Sequence, residues 1–202
     1  TDGETIWLGT ETGGINLLSP KRLQTKLWTC GSADTENDAP TPVNAVDEDK
    51  DGNLWIALVE RGLMKWNEDS KSCVHHLFSP NDITSVSNNT LMGVLIDSDN
   101  RLWAYTWGVG INEIDLNIPN NRTFKRYTCE NIPELEGDFI NSACEDVINH
   151  GIWFGSTRGV HFYDKRKDTF IRVLFDQSDN EFEAIYALLI DSKKRLWVGT
   201  TQ

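Results

Sequence analysis

Long apolar runs are missing from this 202-residue chain, and no stretch approaches the roughly 20 consecutive apolar residues of a membrane-spanning helix. Thr1 is followed by neither a charged leader nor a hydrophobic stretch, so no signal peptide is read and no membrane contact is expected of this segment. Positive charge is also scarce. Nineteen Lys and Arg stand against 31 Asp and Glu, a net charge of -12, which disfavours a nucleic-acid backbone as partner unless a basic patch exists. The basic clusters, KKR at 193–195 and DKRKD at 164–168, fall in predicted turns and read as solvated. Nowhere does an apolar period of 3.6 persist, which disfavours helical and leucine-rich repeats.

Cysteine is sparse as well, with four in all. Cys30 and Cys129 occupy matching places in KLWTC and KRYTC, positions too far apart in a repeat protein to favour a mutual disulfide. The one close set of zinc-type ligands is Cys73, His75 and His76, but adjacent residues on a strand face opposite sides. No metal and no cofactor are therefore expected. The acidic segment DEDKDG at 47–52 alternates Asp47, Asp49 and Asp51 as calcium loops do. Its twelfth position is Leu58 instead of a carboxylate, so the segment reads as a tight turn rich in Asp and Gly.

What is abundant is tryptophan in one recurring phrase. ETIWLGT, GNLWIAL, NRLWAYT, HGIWFGS and KRLWVGT carry Trp7, Trp55, Trp103, Trp153 and Trp197, spaced 48, 48, 50 and 44 residues apart. A period in that range means stacked supersecondary units. Glycine and an aliphatic residue follow seven and eight positions later as Gly14–Ile15, Gly62–Leu63 and Gly110–Ile111, and one position sooner as Gly159–Val160. An aspartate six residues before the tryptophan recurs as Asp49, Asp97 and Asp191, behind the apolar runs VNAV, LMGVLI and AIYALLI.

Each unit thus reads as an apolar strand, an Asp-rich turn, the tryptophan strand, a Gly turn, a third strand such as GLMKWN, a charged turn and a fourth strand such as FKRYT. Four short strands in such a period predict an all-β fold, a β-propeller of four-stranded antiparallel blades. The expected organisation is one partial propeller over 1–202: an incomplete first blade at 1–30, blades at 43–79, 90–128 and 140–175, and the start of another at 184–202. Trp7, Trp55, Trp103, Trp153 and Trp197 are read as structural anchors filling the gaps between neighbouring sheets.

The phrase VNAVDEDKDGNLWIALVERGLMKWN, with its looser copies VLIDSDNRLWAYTWGVGINEID and LLIDSKKRLWVGT, resembles the two-component regulator propeller repeat. The resemblance spans essentially the whole chain, with departures at Val147 in place of the aspartate and at Ala57 and Tyr105 in place of the glycine after the tryptophan. It implies about four blades of a seven-bladed propeller from the periplasmic sensor region of a bacterial histidine kinase of the hybrid two-component type. It also implies a response to polysaccharide fragments.

In a propeller the turn joining strands two and three lies on the same face as the link to the next blade. Here those turns are 11–13, 59–61, 106–109 and 156–158, with links at 31–42, 79–90, 128–139 and 176–183. Loops on a rigid scaffold are favoured places for binding residues. Glu60, Arg61, Trp107 and Arg158 are the candidates, since an exposed ring stacks on a sugar face while Arg and Glu hydrogen-bond hydroxyls or carboxylates. An oligosaccharide and neighbouring domains of the same sensor are the expected partners. An interaction platform is the alternative, and a glycan hydrolase or lyase a lesser one, because paired carboxylates are not concentrated anywhere. The first unit opens at its tryptophan strand and the fifth stops just after it. That pattern suggests a piece of a longer protein, whose open flanks a two-fold homodimer of such arcs would cover.

Overall fold

The computed structural model describes residues 6–10, 14–19, 24–28, 41–135, 139–173 and 184–200, with the backbone alone described for the strands before residue 41. All the long elements are strands. They form five consecutive antiparallel sheets in which sequence neighbours pair. The first sheet joins β1 (Ile6–Thr10), β2 (Gly14–Ser19) and β3 (Gln24–Trp28). The second is built of β4 (Val43–Glu48), β5 (Asn53–Leu58), β6 (Leu63–Asn67) and β7 (Ser72–His76). The third holds β8 (Leu91–Ile96), β9 (Arg101–Thr106), β10 (Ile111–Asp115) and β11 (Lys125–Tyr127). The fourth holds β12 (Ile140–Asp146), β13 (Gly151–Ser156), β14 (Gly159–Asp164) and β15 (Thr169–Val173). The fifth pairs β16 (Ile185–Ile190) with β17 (Leu196–Thr200). The first strands β4, β8, β12 and β16 stand side by side from sheet to sheet, so the sheets are arrayed radially as propeller blades.

The turn between the first two strands shows why the aspartate recurs. Asp49 closes a hairpin in which Gly52 N–H donates to the Asp49 carbonyl at 2.9 Å and Asp49 N–H to the Asn53 carbonyl at 2.9 Å. Its Oδ1 accepts the N–H groups of Asp51 and Asn53 at 3.0 and 2.9 Å. Its Oδ2 accepts the Trp55 indole N–H at 2.9 Å. Asp97 repeats this with Asp99, Arg101 and Trp103, and Asp191 with Lys193, Arg195 and Trp197. One carboxylate therefore orders the turn and aims the ring, and the aspartate is more than a turn former. In the fourth blade, where Val147 stands at the expected place, Asp146 takes the role one residue earlier and accepts from Trp153 Nε1 at 3.1 Å. The turn there is longer by one residue, with His150 in the left-handed region at φ 53°.

The other departures from the repeat are compensated locally. Tyr105 sits opposite Gly93 across β8 and β9, and a Cβ on Gly93 would fall 2.1 Å from its hydroxyl. The ring fits because its cross-strand partner has no side chain. Burial then pushes the Tyr105 phenol up to about 12.

Between blades the core is aromatic and aliphatic. Trp103 packs on Tyr127 of its own blade and on Phe154 and Tyr163 of the next, at centroid distances of 6.0, 5.9 and 4.8 Å. Trp55 and Trp103 are 2% and 0% exposed; Trp153 is half-buried, whereas Trp197 is 54% exposed. Only the backbone of Trp7 is described, opposite Leu17 in β2.

The DKRKD cluster departs from its solvated reading at one residue. Lys165 is largely buried, with Nζ 2.9 Å from both Asp97 and Asp99 and 2.7 Å from Glu145. The blade interface at this point is an ammonium on three carboxylates, which also hold the lysine's pKa above its usual range against the opposing effect of burial. Cys73 is disulfide-bonded, and Cys144 is a thiol.

Candidate functional site

The turns after the tryptophan strands are tied to the segments that enter the blades. Val59 N–H donates to the Pro42 carbonyl, Trp107 N–H to Thr90 and Thr157 N–H to Phe139, at 3.1, 3.2 and 3.1 Å. Each acceptor is the residue just before or at the start of its own blade's first strand, so these turns and links form one face. The turn 11–13 and the link 176–183 lie outside the described residues, as does most of 31–42.

Thr90 connects two of the four candidates. Its Oγ1 accepts the Glu60 N–H at 3.3 Å, while its carbonyl accepts the Trp107 N–H. Glu60 has φ 61°, a left-handed conformation that costs a side-chain-bearing residue of order 1 kcal/mol or more. Two residues on, Gly62 cannot be substituted cheaply, because a Cβ there would stand 2.4 Å from the His76 carbonyl oxygen. Arg61 lies between them, half-buried.

Trp107 is 53% exposed and meets the ring of Phe139 edge to face at a centroid distance of 5.3 Å and an interplanar angle of 89°. Phe139, 39% exposed, in turn accepts the Thr157 N–H through its carbonyl. Arg158 follows immediately, exposed, with its N–H on Ser156 Oγ at 2.9 Å. The structure therefore strings Glu60, Thr90, Trp107, Phe139 and Arg158 along one face across three blades. Chemically this is a shallow shelf with an aromatic pair between an acid and a base, suited to stacking and hydrogen bonding. Among the described residues no general acid and base are juxtaposed on it.

Sequence reasoning missed two contributors. Phe139 carries no repeat signal, being an apolar residue in a link, and only its contact with Trp107 shows its place. Arg126 organises the link 79–90: its guanidinium donates to the carbonyls of Asp82, Ser85 and Val86 at 3.0, 2.9 and 3.2 Å. Phe124 N–H donates to the Thr84 carbonyl at 2.8 Å, tying the same link to the outer strand. Among the described residues no group of three His, Cys, Asp or Glu is placed to hold a metal ion. His75 is exposed and His76 buried, on opposite faces of β7.

Radial four-stranded sheets joined in sequence order, each with a tryptophan clasped by an aspartate, define an arc of β-propeller blades. Residues 181–202 match the family described as two component regulator propeller. Histidine kinase P4 of Formosa agariphila is 26% identical over 157 residues, 77% of this chain and 11% of the kinase. The chain thus spans about a tenth of that relative's length. Among solved structures, the extracellular domain assigned to a hybrid two component system of B. thetaiotaomicron superposes with a TM-score of 0.78 at 20% identity. That match covers 98% of this chain and 26% of that one. PorZ, a surface component of the type-IX secretion system of Porphyromonas gingivalis, gives 0.68 at 17% identity over 98% and 30%. These structural likenesses establish the propeller fold.

Proposed function

We propose that this chain is part of the extracytoplasmic ligand-sensing propeller of a bacterial two-component sensor, non-enzymatic in itself. The observation that carries this reading is the two component regulator propeller match at residues 181–202 together with the histidine kinase relative. The Cys73 disulfide fits an oxidising compartment such as the periplasm. The shelf of Glu60, Arg61, Trp107 and Arg158 is the proposed contact for an oligosaccharide, with the exposed ring as stacking platform and the charged groups hydrogen-bonding hydroxyls or carboxylates. Binding signals by favouring one of two arrangements of the sensor, by as much as the ligand's affinities for them differ.

The test is isothermal titration of the purified protein with a panel of polysaccharide digests, first as wild type and then as the Trp107→Ala, Arg158→Ala double variant. The variant is expected to bind at least tenfold more weakly while keeping its melting temperature. Unchanged affinity would move the site off this face, and binding of a protein partner in place of any glycan would favour the interaction-platform reading.

A further inference from the structure

The two interior blade interfaces are built on one plan and filled differently. In register with the tryptophans, Tyr163 and Lys165 of the fourth blade correspond to Ile114 and Leu116 of the third. Between blades three and four, the Tyr163 ring packs on Trp103 at 4.8 Å and Lys165 caps Asp97 and Asp99. Tyr127 OH meanwhile donates to Glu113 at 2.6 Å. Between blades two and three the shorter Ile114 and Leu116 leave a cleft of about 400 Å³, within the size range of small-molecule sites.

Its floor is Trp55 and His76, which stack at 5.4 Å. His76 stands where the next blade has Tyr127. It is 9% exposed, lines the cleft, and its ring nitrogens take no hydrogen bond from the described residues. One wall supplies Lys65 of β6 and the facing wall Arg122 of the link between β10 and β11. Lys65 Nζ lies 3.9 Å from Asp49 Oδ2 and 5.3 Å from the centroid of the Trp55 ring. Asn53 and Asn67 edge the floor, and Leu116, Ile118 and Pro119 give an apolar side. That link is nine residues long against four between β14 and β15, so the rim is an addition to this blade alone among the three complete ones.

We propose that this cleft is a second binding site, for a small hydroxylated carboxylate of the sugar-acid class. Its carboxylate faces Arg122, Lys65 and His76, its hydroxyls meet Asn67 and Asp51, and its C–H face rests on Leu116 and Ile118. Burial first, then the charges of Arg122, Lys65 and His75, lowers the His76 pKa to about 4. An anion between them would offset those cations and raise it. Asp49 and Asp51 at the turn are the acidic groups facing the same space. The site lies at the strand ends opposite the Trp107 shelf and does not rest on the oligosaccharide reading of that face.

Glucuronate is the probe, with glucose as its uncharged counterpart and acetate as a bare carboxylate. The readouts are titration calorimetry and the NMR shifts of the His76 ring. Wild-type protein is expected to bind glucuronate at least tenfold more tightly than either control, with a His76 shift that saturates with occupancy. Arg122→Gln should weaken glucuronate at least tenfold. Leu116→Lys, which restores the lysine of the neighbouring interface, should abolish binding by filling the cleft with the protein's own ammonium. Equal affinity for acetate or glucose, or glucuronate binding untouched by both variants, would overturn the proposal. The His76 ring shift reports this cleft alone, so its presence or loss is read apart from any binding at the Trp107 shelf.

Discussion

Trp103 and Trp197 stand in the same phrase and make the same bond, each donating its indole N–H to an aspartate six residues earlier at 2.9 Å. Yet Trp103 is fully buried and Trp197 is 54% exposed. The hydrogen bond is closed within one hairpin and needs nothing beyond it. The burial comes from Phe154 and Tyr163 of the following blade, and no described blade follows β17. Leu189, paired with it across β16 and β17, is 62% exposed as well. The repeat thus separates two contributions usually merged in one residue: a local clasp that shapes the turn, and a packing contribution that exists only between blades.

The sharpest way to break this comparison is to delete the rings. Trp103→Ala should destabilise the protein by about 3–5 kcal/mol, the range for a large aromatic removed from a packed site. Trp197→Ala should cost below about 1 kcal/mol, as for a surface residue. Denaturant unfolding of both variants checks the ratio, and equal losses would mean that the ring's value lies in the clasp.

A smaller difference should separate the aspartates. Asp97→Asn removes the charge facing Lys165 and the acceptor for the Trp103 indole, which predicts a loss of about 1–3 kcal/mol. Asp191→Asn touches only its exposed hairpin and should leave the melting curve nearly in place while broadening the Trp197 side-chain signal.

The smallest effect is in pH. The Trp197 indole, with the N–H groups of Arg195 and Lys193, holds the Asp191 carboxyl down to about 2. A carboxylate whose folded pKa lies below its unfolded value contributes stability above about 3.8 that is lost as pH falls through about 2. A carboxyl carbon titration by NMR should therefore show Asp191 ionised at pH 3, with a Trp197 indole shift moving at the same midpoint. A midpoint near 3.8 would show that the clasp does not form outside a packed interface.

Much of the fold was legible because its signals are local and repeated. Trp, Gly and the apolar runs recur at one period, and the hairpins they imply are those observed. The replacement at Val147 looked like a lost aspartate, but Asp146 serves from one position earlier, since a longer turn brings it to the same indole. Tyr105, in place of the repeat's glycine, is accommodated by Gly93 across the strand pair, a pairing that depends on register. Lys165 was illegible: in DKRKD it has the composition of a solvated turn, and only the folded arrangement brings Asp97 and Asp99 of the neighbouring blade and Glu145 of its own first strand within 2.9 Å of it.

By itself the sequence determined the blade, its four strands, its turns and the aspartates that aim Trp55, Trp103, Trp153 and Trp197, because all of these close over a few residues through backbone and short side-chain hydrogen bonds. Tertiary structure alone decided which tryptophans are buried and which links share a face with Trp107. It also decided that one interface is closed by Tyr163 and Lys165 while its neighbour is left open beside His76. These depend on residues far apart in the sequence meeting across blades, as Trp107 meets Phe139 and Lys165 meets Asp97, where the fit of side-chain volume and charge is set by both surfaces together.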